Sequence, residues 1–261
     1  MSENVAVNAT RLHAQVDGAL GPWVVLLNSL AADLSMWDPQ IPALTQRFRV
    51  LRYDQRGHGG AAAPAAPYSL AHLVDDLFAL MAHYRIERAH LVGLSLGGVI
   101  AAGAALARPQ QVASFAVCDS RLEMPTEFLS AIDERNRLVR AQGMEAIVEP
   151  MLVRWFSPAG IAARLPALDQ VRAMIRRTHV EGFVGCGEAL KAARVLDRLA
   201  EVRLPSLFLV GDQDAAVPAA VMQDQRARVT GSAYVEIERA GHLANLEQPA
   251  HFNAALLGFL K

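Results

Sequence analysis

The sequence has few cysteines, no excess of either charge and no long apolar run. Its 261 residues include two cysteines, Cys118 and Cys186, without the spacing of a zinc site or a disulfide framework. Twenty-five basic residues against 26 acidic ones give a formal net charge of −1, so the basic surplus typical of nucleic-acid binding is missing. The apolar runs Trp23–Leu27 and Leu204–Val210 are much shorter than the ~20 residues that span a bilayer. We therefore expect no structural metal, no nucleic-acid partner and no membrane span.

What is present is the composition of a folded protein with a large apolar core. Hydrophobic residues make up 52% of the chain, slightly more than the ~45–50% of average globular domains, which argues against disorder. A chain of this length buries ~70–75% of its unfolded surface and allows one large α/β domain or two small ones. Residues 1–10 lack the basic and apolar segments of a signal peptide. The sequence thus predicts a soluble, cytoplasmic protein.

Short apolar segments alternate with helical patterns from residue 22 onward. Short apolar runs bounded by turn residues predict buried strands at Trp23–Leu27, Phe48–Tyr53, Ala89–Val92, Val112–Val117, Ser206–Val210 and Ala233–Ile237. Helices are predicted at Ser69–Tyr84, Leu96–Ala107 and Glu247–Phe259. Apolar strands separated by helices indicate a mainly parallel sheet with helices on both faces. Upstream, Arg11–Val16, before Asp17, is predicted to be part of an antiparallel hairpin.

The alternation of strands and helices breaks once, between residues 122 and 199. This segment shows helix-like stretches interrupted by prolines and no strand pattern. A long helical insertion between two strands predicts a cap over one end of the sheet. The alternative is that these helices belong to the outer layer of the sheet. We therefore predict a core of residues 1–121 and 200–261 and a helical cap of residues 122–199.

A Gly-x-Ser-x-Gly motif lies where one predicted strand turns into a helix. Gly93, Ser95 and Gly97 directly follow the Ala89–Val92 strand and open the Leu96–Ala107 helix. In this context the motif is typical of a nucleophile elbow, a tight turn that points the serine hydroxyl outward. The alternative is a glycine-rich turn whose serine caps the helix. We interpret Ser95 as a candidate nucleophile.

A serine nucleophile needs a base, and the base needs an acid that orients it. Among the histidines, His242 lies in a loop after the last predicted strand, where it can reach the carboxyl edge of the sheet. Asp212 and Asp214 compete for the role of acid in the loop after Ser206–Val210. Asp212 could instead close the turn with its own side chain, and Asp214 is better placed to meet His242. The predicted triad is therefore Ser95, Asp214 and His242.

The order serine, aspartate, histidine along the chain is that of α/β-hydrolases. In that arrangement two backbone amides stabilise the developing oxyanion, one from the residue after the nucleophile and one from a loop at the same edge of the sheet. These amides are those of Leu96 and, in the loop at residues 28–32, Leu30. Asn28 begins this loop. Its side chain is predicted either to shape the loop through a hydrogen bond or to contact the substrate.

Several further segments are characteristic of one enzyme family. They are Leu27–Leu30, Asp33–Trp37, Val50–Gly59, Gly93–Gly98, Arg154–Phe156, Gly182–Phe183 with Cys186, and Gly241–His242 with Glu247. With these segments the chain resembles α/β-hydrolases over its full length, and bacterial 3-oxoadipate enol-lactonases most closely. The resemblance implies an α/β-hydrolase fold with a helical cap, the nucleophile Ser95, the acid Asp214 and the base His242. It places the amides of Leu30 and Leu96 at the oxyanion hole and calls for no cofactor and no metal.

The resemblance also implies a substrate, a small enol-lactone with an acetate side chain that is opened to 3-oxoadipate through a serine acyl-enzyme in aromatic catabolism. The free carboxylate of such a lactone calls for a cation. Arg154 in the predicted cap is the first candidate, because arginine binds a carboxylate through two hydrogen bonds, although a surface position is equally expected. Its neighbour Trp155 is expected to shape the pocket wall.

The chain departs from these enzymes at two places. Asp119 and Ser120 stand where enol-lactonases usually carry Asn-Thr, and Gly60–Ala61 stands where a serine is common. Both departures bear on the substrate and leave the hydrolytic residues intact. Other interpretations are a general carboxylesterase or cofactor-free perhydrolase with the same triad, and a receptor-like protein that binds a small lactone and turns it over slowly. A dehalogenase is disfavoured, because Ser95 stands where a dehalogenase has an aspartate nucleophile.

Overall fold

Residues 2–261, which a computed structural model describes, form one eight-stranded sheet with the strand order β1-β2-β4-β3-β5-β6-β7-β8. The strands are β1 Ser2–Val7, β2 Thr10–Asp17, β3 Trp23–Leu27, β4 Arg49–Asp54, β5 Ala89–Leu94, β6 Val112–Cys118, β7 Ser206–Gly211 and β8 Ala233–Ile237. The pairs β1–β2 and β2–β4 are antiparallel, and the other pairs are parallel. Because the carboxyl ends of parallel strands share one edge, the loops after β3, β5, β6, β7 and β8 come together there.

Helices cover the sheet on both faces. The α-helices are α1 Ile41–Leu44, α2 Leu70–His83, α3 Leu96–Ala107, α4 Thr126–Gln142, α5 Val148–Trp155, α6 Pro158–Ala162, α7 Ala167–Arg177, α8 Val180–Ala192, α9 Ala219–Ala227, α10 Ala244–Glu247 and α11 Pro249–Phe259. Short 3-10 helices span Leu34–Gln40, Pro109–Gln111, Met144–Ile147 and Leu196–Glu201. Helix α3 packs on β5 and β6, α9 on β7 and α11 on β8. Every residue of β5 and β7 is buried, as expected for parallel strands between two helical layers.

The predicted strands and helices are all found, with two differences in detail. The predicted hairpin consists of β1 and β2, and its turn is at Asn8 and Ala9, whose φ angles are 43° and 57°. Asp17 ends β2 and does not open a hairpin turn. The helix predicted over Glu247–Phe259 is divided, because Pro249 lacks the N–H that would continue α10 and instead begins α11. Within residues 2–261 no helix is long and apolar enough to cross a membrane.

Helices α4 to α8 lie between β6 and β7, and a single bridge between Glu123 and Arg194 pairs the two ends of this insertion. Contacts with the loops after β3 and β4 hold the insertion over the sheet edge. They are the hydrogen bonds Gln170 Nε2 to the Ser35 carbonyl (2.9 Å) and His179 N–H to the Gly57 carbonyl (2.9 Å), and the ion pair of Arg177 with Asp33 (2.5 Å). The division of the chain into a core and a cap at residues 122–199 stays a prediction.

Two glycines allow the insertion to approach the sheet closely. Gly182 on α8 packs directly on the backbone of Gly57, and a Cβ at Gly182 would overlap the Cα, carbonyl carbon and oxygen of Gly57. Gly57 has a φ of 76°, a conformation that favours glycine. The pair therefore fixes how close the cap helices come to the core.

Gly182→Ala is expected to destabilise the protein by about 1–3 kcal/mol, the usual cost of forcing an extra methyl group into a packed contact. Gly258→Ala on α11 is the matched control, because a Cβ there meets nothing within 4 Å. That control is expected to raise stability by about 0.5–1 kcal/mol through the better helix propensity of alanine. Thermal unfolding measures both variants, and equal melting temperatures would show that the Gly57–Gly182 contact does not limit packing.

Candidate active site

Ser95 lies in a strained turn between β5 and α3. Its φ and ψ angles are 54° and −112°, in a region that non-glycine residues rarely adopt. The Ser95 N–H donates to the Cys118 carbonyl at 2.9 Å and holds the turn against β6. A Cβ at Gly93 or Gly97 would overlap the backbone of Gly97 or Leu27, respectively. The Ser95 side chain makes no capping hydrogen bond with α3, so the helix-capping alternative is wrong and the hydroxyl is left for the cavity.

His242 and Asp214 form a buried pair. His242 Nδ1 lies 2.8 Å from Asp214 Oδ2, and the two side chains are almost completely buried. Asp214 Oδ1 accepts from the N–H groups of Ala216 (2.7 Å) and Val217 (3.0 Å), which fix the orientation of the carboxyl group. Asp212 is exposed, and its Oδ1 accepts from the Ala240 N–H at 3.2 Å. The structure thus pairs Asp214 with His242, whereas the Asp212 side chain joins its loop to the loop after β8 instead of closing its own turn.

The two predicted oxyanion donors lie at the same edge of the sheet. Leu96 is the first residue of α3, where amides have no partner within the helix. Leu30 lines the same cavity as Ser95, and the next residue, Ala31, turns the loop with a φ of 59°. Within residues 2–261 neither amide makes a hydrogen bond. Both are therefore free to bind an oxygen that develops negative charge.

A cavity of about 380 Å³ lies between this edge of the sheet and the cap helices. Ser95 and His242 are at its base, beside Leu30, Ala216 and Val217. The rest of the lining comes mainly from the insertion: Arg121, Met124, Phe128, Ala131, Ile132, Arg135, Leu138, Ile147, Pro150, Met151, Arg154, Trp155 and Leu190. The walls are thus largely apolar, with three arginines among them.

Trp155 and Glu247 hold the loop that carries His242. The Trp155 ring stacks on the His242 ring with the centroids 6.1 Å apart and the planes at 24°. Glu247, which is buried, accepts from the Gly241 N–H (2.5 Å) and from the backbone and hydroxyl groups of Ser157 (3.1 and 2.8 Å). These contacts join the His242 loop to the end of α5. Glu247 entered the sequence analysis only through a resemblance, because nothing in its spacing shows this contact.

Asn28 shapes its loop and does not line the cavity. Its Nδ2 donates to the Tyr53 carbonyl at 2.8 Å, and its Oδ1 accepts from Trp37 Nε1 at 3.0 Å. The side chain is fully buried. Of the two roles predicted for Asn28, substrate contact is therefore wrong, because both polar atoms of the amide are already bound within the protein.

Three arginines face the cavity without a carboxylate partner. Arg121, Arg135 and Arg154 line it, and within the described part of the chain none of them forms an ion pair. Burial and, to a lesser extent, the positive charge of Arg154 together lower the pKa of Arg135 to about 10. Burial and then the charge of Arg154 also lower the pKa of Arg121. The Nε atom of Arg135 is buried without a hydrogen-bond partner. Such a group of like charges favours the binding of an anion.

Arg121 and Arg135 were missed in the sequence analysis, which named only Arg154. A signal was present for Arg135, because it follows Phe128 and Ile132 at the spacing of one helix face. An arginine on that apolar face indicates a cavity-facing cation. Among residues 2–261, no three metal-binding side chains lie together.

Comparison with known proteins places this geometry in a family. The family model described as the alpha/beta hydrolase fold matches residues 22–249 of the chain. The chain belongs to the α/β-hydrolase family. This α/β-hydrolase is 31% identical over 260 residues to 3-oxoadipate enol-lactonase 2 of Acinetobacter baylyi, a match that covers 100% of this chain and 95% of that enzyme.

Two further similarities bear on the reaction of this hydrolase. The crystal structure of the enol-lactonase from Burkholderia xenovorans LB400 superposes with a TM-score of 0.95 at 34% identity, covering 98% of this chain and 99% of that one. The putative carbamate hydrolase RutD of Klebsiella pneumoniae is 31% identical over 239 residues, which is 90% of each chain. The prediction of an α/β-hydrolase fold is therefore confirmed, and the relatives support a hydrolase. Their names differ in the substrate, which is an enol-lactone for two of them and a carbamate for the third.

We propose that Asp214 orients His242, and Asp214→Asn tests this assignment in the hydrolase. The amide would favour the wrong imidazole tautomer, so we expect kcat to fall by about 10⁴. Asp212→Asn is the matched control and is expected to change kcat little, because Asp212 contacts only the Ala240 N–H. Steady-state hydrolysis of an activated ester measures both variants. A large loss in the Asp212 variant alone would give the role of acid to Asp212.

Proposed function

We propose that this hydrolase opens a small lactone that carries a free carboxylate, namely 3-oxoadipate enol-lactone, through an acyl-enzyme on Ser95. The observation that carries the proposal is the set of three unpaired arginines that line the cavity above Ser95 and His242. A neutral ester would leave these cations without an anionic partner, whereas a carboxylate would accept hydrogen bonds from them. The enol-lactonases among the relatives support the same substrate.

The arrangement performs the reaction in two halves. His242 Nδ1 faces Asp214, so the other ring nitrogen, Nε2, takes the proton of Ser95 Oγ as that oxygen attacks the ring carbonyl. The amides of Leu30 and Leu96 donate to the oxyanion. The ring C–O bond then breaks, the enol oxygen receives the proton from His242, and the enol becomes a ketone, which makes reversal unfavourable.

The second half releases the acid. His242 removes a proton from water, the resulting hydroxide attacks the acyl carbon, and the bond to Ser95 Oγ breaks as the serine recovers its proton. The product is 3-oxoadipate. No step requires a metal or an organic cofactor. The stack of Trp155 on His242 keeps the imidazole in place and excludes water from one face of the ring.

A second candidate is carbamate hydrolysis, which the similarity to putative carbamate hydrolases favours. The same triad would attack a carbamate carbonyl and expel an amine. Simple carboxylesters are a third class of substrate for the same residues.

The deciding experiment compares kcat/KM for 3-oxoadipate enol-lactone, a short p-nitrophenyl ester and a small carbamate. We expect fast opening of the lactone and much slower cleavage of the other two. Ser95→Ala is the control and is expected to abolish turnover without unfolding the protein, because one hydroxyl at the turn contributes little to stability. Fast ester or carbamate cleavage alone contradicts the lactone assignment, and stoichiometric binding without turnover indicates a receptor. Full activity of Ser95→Ala would rule out the acyl-enzyme.

Arg135→Met tests whether this half-buried cation binds the substrate carboxylate. Methionine keeps much of the side-chain volume and its packing on Phe183, whose ring lies 5.2 Å from the Arg135 guanidinium. We expect KM for the anionic lactone to rise about 10- to 100-fold, because a hydrogen bond to a charged group contributes ~1.5–3 kcal/mol. Cleavage of the neutral ester should change little. Arg137→Met is the matched control, since Arg137 lies on the same helix and is exposed. Equal changes for both substrates would show that Arg135 does not discriminate charge.

A further inference from the structure

A second buried aspartate lies at the base of the loop that carries Asp214. Asp119 directly follows β6, is fully buried and has a φ of 45°. Its N–H donates to the Leu209 carbonyl at 2.8 Å, and its Oδ1 accepts from the Gly211 N–H at 2.8 Å. Both partners lie at the end of β7, a few residues before Asp214. Asp119 therefore joins the ends of β6 and β7 where the acid loop begins.

The residues on either side of Asp119 contact the nucleophile. The Cys118 carbonyl accepts from the Ser95 N–H at 2.9 Å, and the Ser120 hydroxyl donates to the Ser95 carbonyl at 2.6 Å. The segment 118–120 thus touches the turn of Ser95 on one side and the acid strand on the other. A displacement of Asp119 would change the position of Ser95 relative to Asp214.

The second carboxyl oxygen of Asp119 has no partner. Within the described residues Oδ2 is buried and makes no hydrogen bond, which would be very unfavourable for an oxygen that carries charge. Burial raises the pKa of Asp119 well above its ordinary value, and the negative charges of Asp214 and then Glu247 raise it further. The other titratable neighbour is Cys118, whose thiol is also fully buried. No cation pairs with this carboxyl group among residues 2–261.

Asp214 makes more hydrogen bonds with its carboxyl group than Asp119 does. Its two oxygens accept from two backbone amides and face His242, whereas Asp119 offers one oxygen to one amide. Two carboxyl groups close together in a low-dielectric site do not both ionise easily. The hydrogen bonds therefore decide which of the two keeps a proton.

We propose that Asp119 is a positioning residue for the Asp214–His242 pair and that it works as a neutral carboxylic acid. Its carbonyl oxygen holds the Gly211 N–H and so fixes the start of the acid loop. Its proton avoids adding a further negative charge to those of Asp214 and Glu247. Asparagine is usual at this position in the enol-lactonases that the chain resembles. Its amide oxygen can accept the same hydrogen bond from Gly211, and its side chain is neutral like a protonated aspartate. The departure at Asp119 is therefore conservative in charge, and neither Asp119 nor Ser120 lines the substrate cavity.

The first test compares Asp119→Ala with Asp119→Asn in kcat and KM for the lactone and for a p-nitrophenyl ester. Alanine removes the acceptor for Gly211, so we expect kcat to fall about 10- to 100-fold on both substrates with little change in KM, because a shift of about 1 Å near the reacting groups costs up to ~10²-fold. Asparagine should restore kcat to near the wild-type value. Wild-type kcat in the alanine variant, or no recovery with asparagine, would overturn the proposal.

The second test reads the proton itself and needs only the folded asparagine variant. Between the pKa of an unfolded aspartate, about 3.9, and the raised pKa of Asp119, the folded protein binds one proton more than the unfolded chain. Stability of the wild type therefore falls as the pH rises through this window, and Asp119→Asn has no such loss. The quantity compared is the melting temperature of the variant minus that of the wild type. We expect this difference to be larger at pH 8 than at pH 5, by at least ~2–4 °C. A gap that is constant or narrows with pH would mean that Asp119 is ionised, which contradicts the proposal.

This inference rests on Asp214 and His242 acting as acid and base, and the two can fail separately. If Asp214→Asn keeps full activity, the proposed mechanism fails whatever Asp119 does. If Asp214→Asn is inactive while Asp119→Ala keeps the wild-type kcat, only the role of Asp119 is wrong.

Discussion

The left-handed backbone of Ser95 is the constraint on which the rest of the site depends. A residue at φ 54° is strained, and the strain persists only because surrounding contacts determine it. The Cys118 carbonyl holds the Ser95 N–H, and Gly97 lets α3 come close to the end of β3. These contacts need β3, β5 and β6 to be parallel neighbours that end together. The sheet order thus fixes the Ser95 hydroxyl, and the loops after β7 and β8 bring Asp214 and His242, the proposed acid and base, to the same edge of the sheet.

Helices α4 to α8 and the segments between them provide most of the cavity that the Ser95 hydroxyl faces. Ser95, His242 and Leu30 come from the sheet edge, whereas Arg135, Arg154 and most apolar lining residues come from the insertion. The same catalytic edge with another insertion would face another cavity. Relatives of similar identity are named for an enol-lactone and for a carbamate, so overall similarity does not by itself identify the substrate.

The sequence predicts the sheet edge well and the cavity poorly. A strand that is covered on both faces has apolar residues at nearly every position, as in Ser206–Val210. Such a run is visible in the local sequence, so the strand can be located without knowledge of the tertiary structure. β1 was missed because most of its side chains are exposed, and its Asn8–Ala9 turn lacks glycine. The arginines were missed for a different reason. The spacing places Arg135 on the helix face of Phe128 and Ile132, but the surroundings of that face depend on how α4 packs against α8, which is a tertiary contact.

Basic side chains lie on one side of His242 and acidic side chains on the other. Arg121 and Arg154 stand on the side of the cavity, and Asp214, Asp119 and Glu247 stand toward the sheet. With a net charge of −1, the whole protein supplies no attraction for an anion, so the local arginines must provide it. Each additional negative charge behind His242 would oppose an anionic substrate in a site where screening by water is weak. If Asp119 is neutral, as proposed, it keeps the acceptor for the Gly211 N–H without adding that charge, so the positioning of the Asp214 loop is compatible with an anionic substrate.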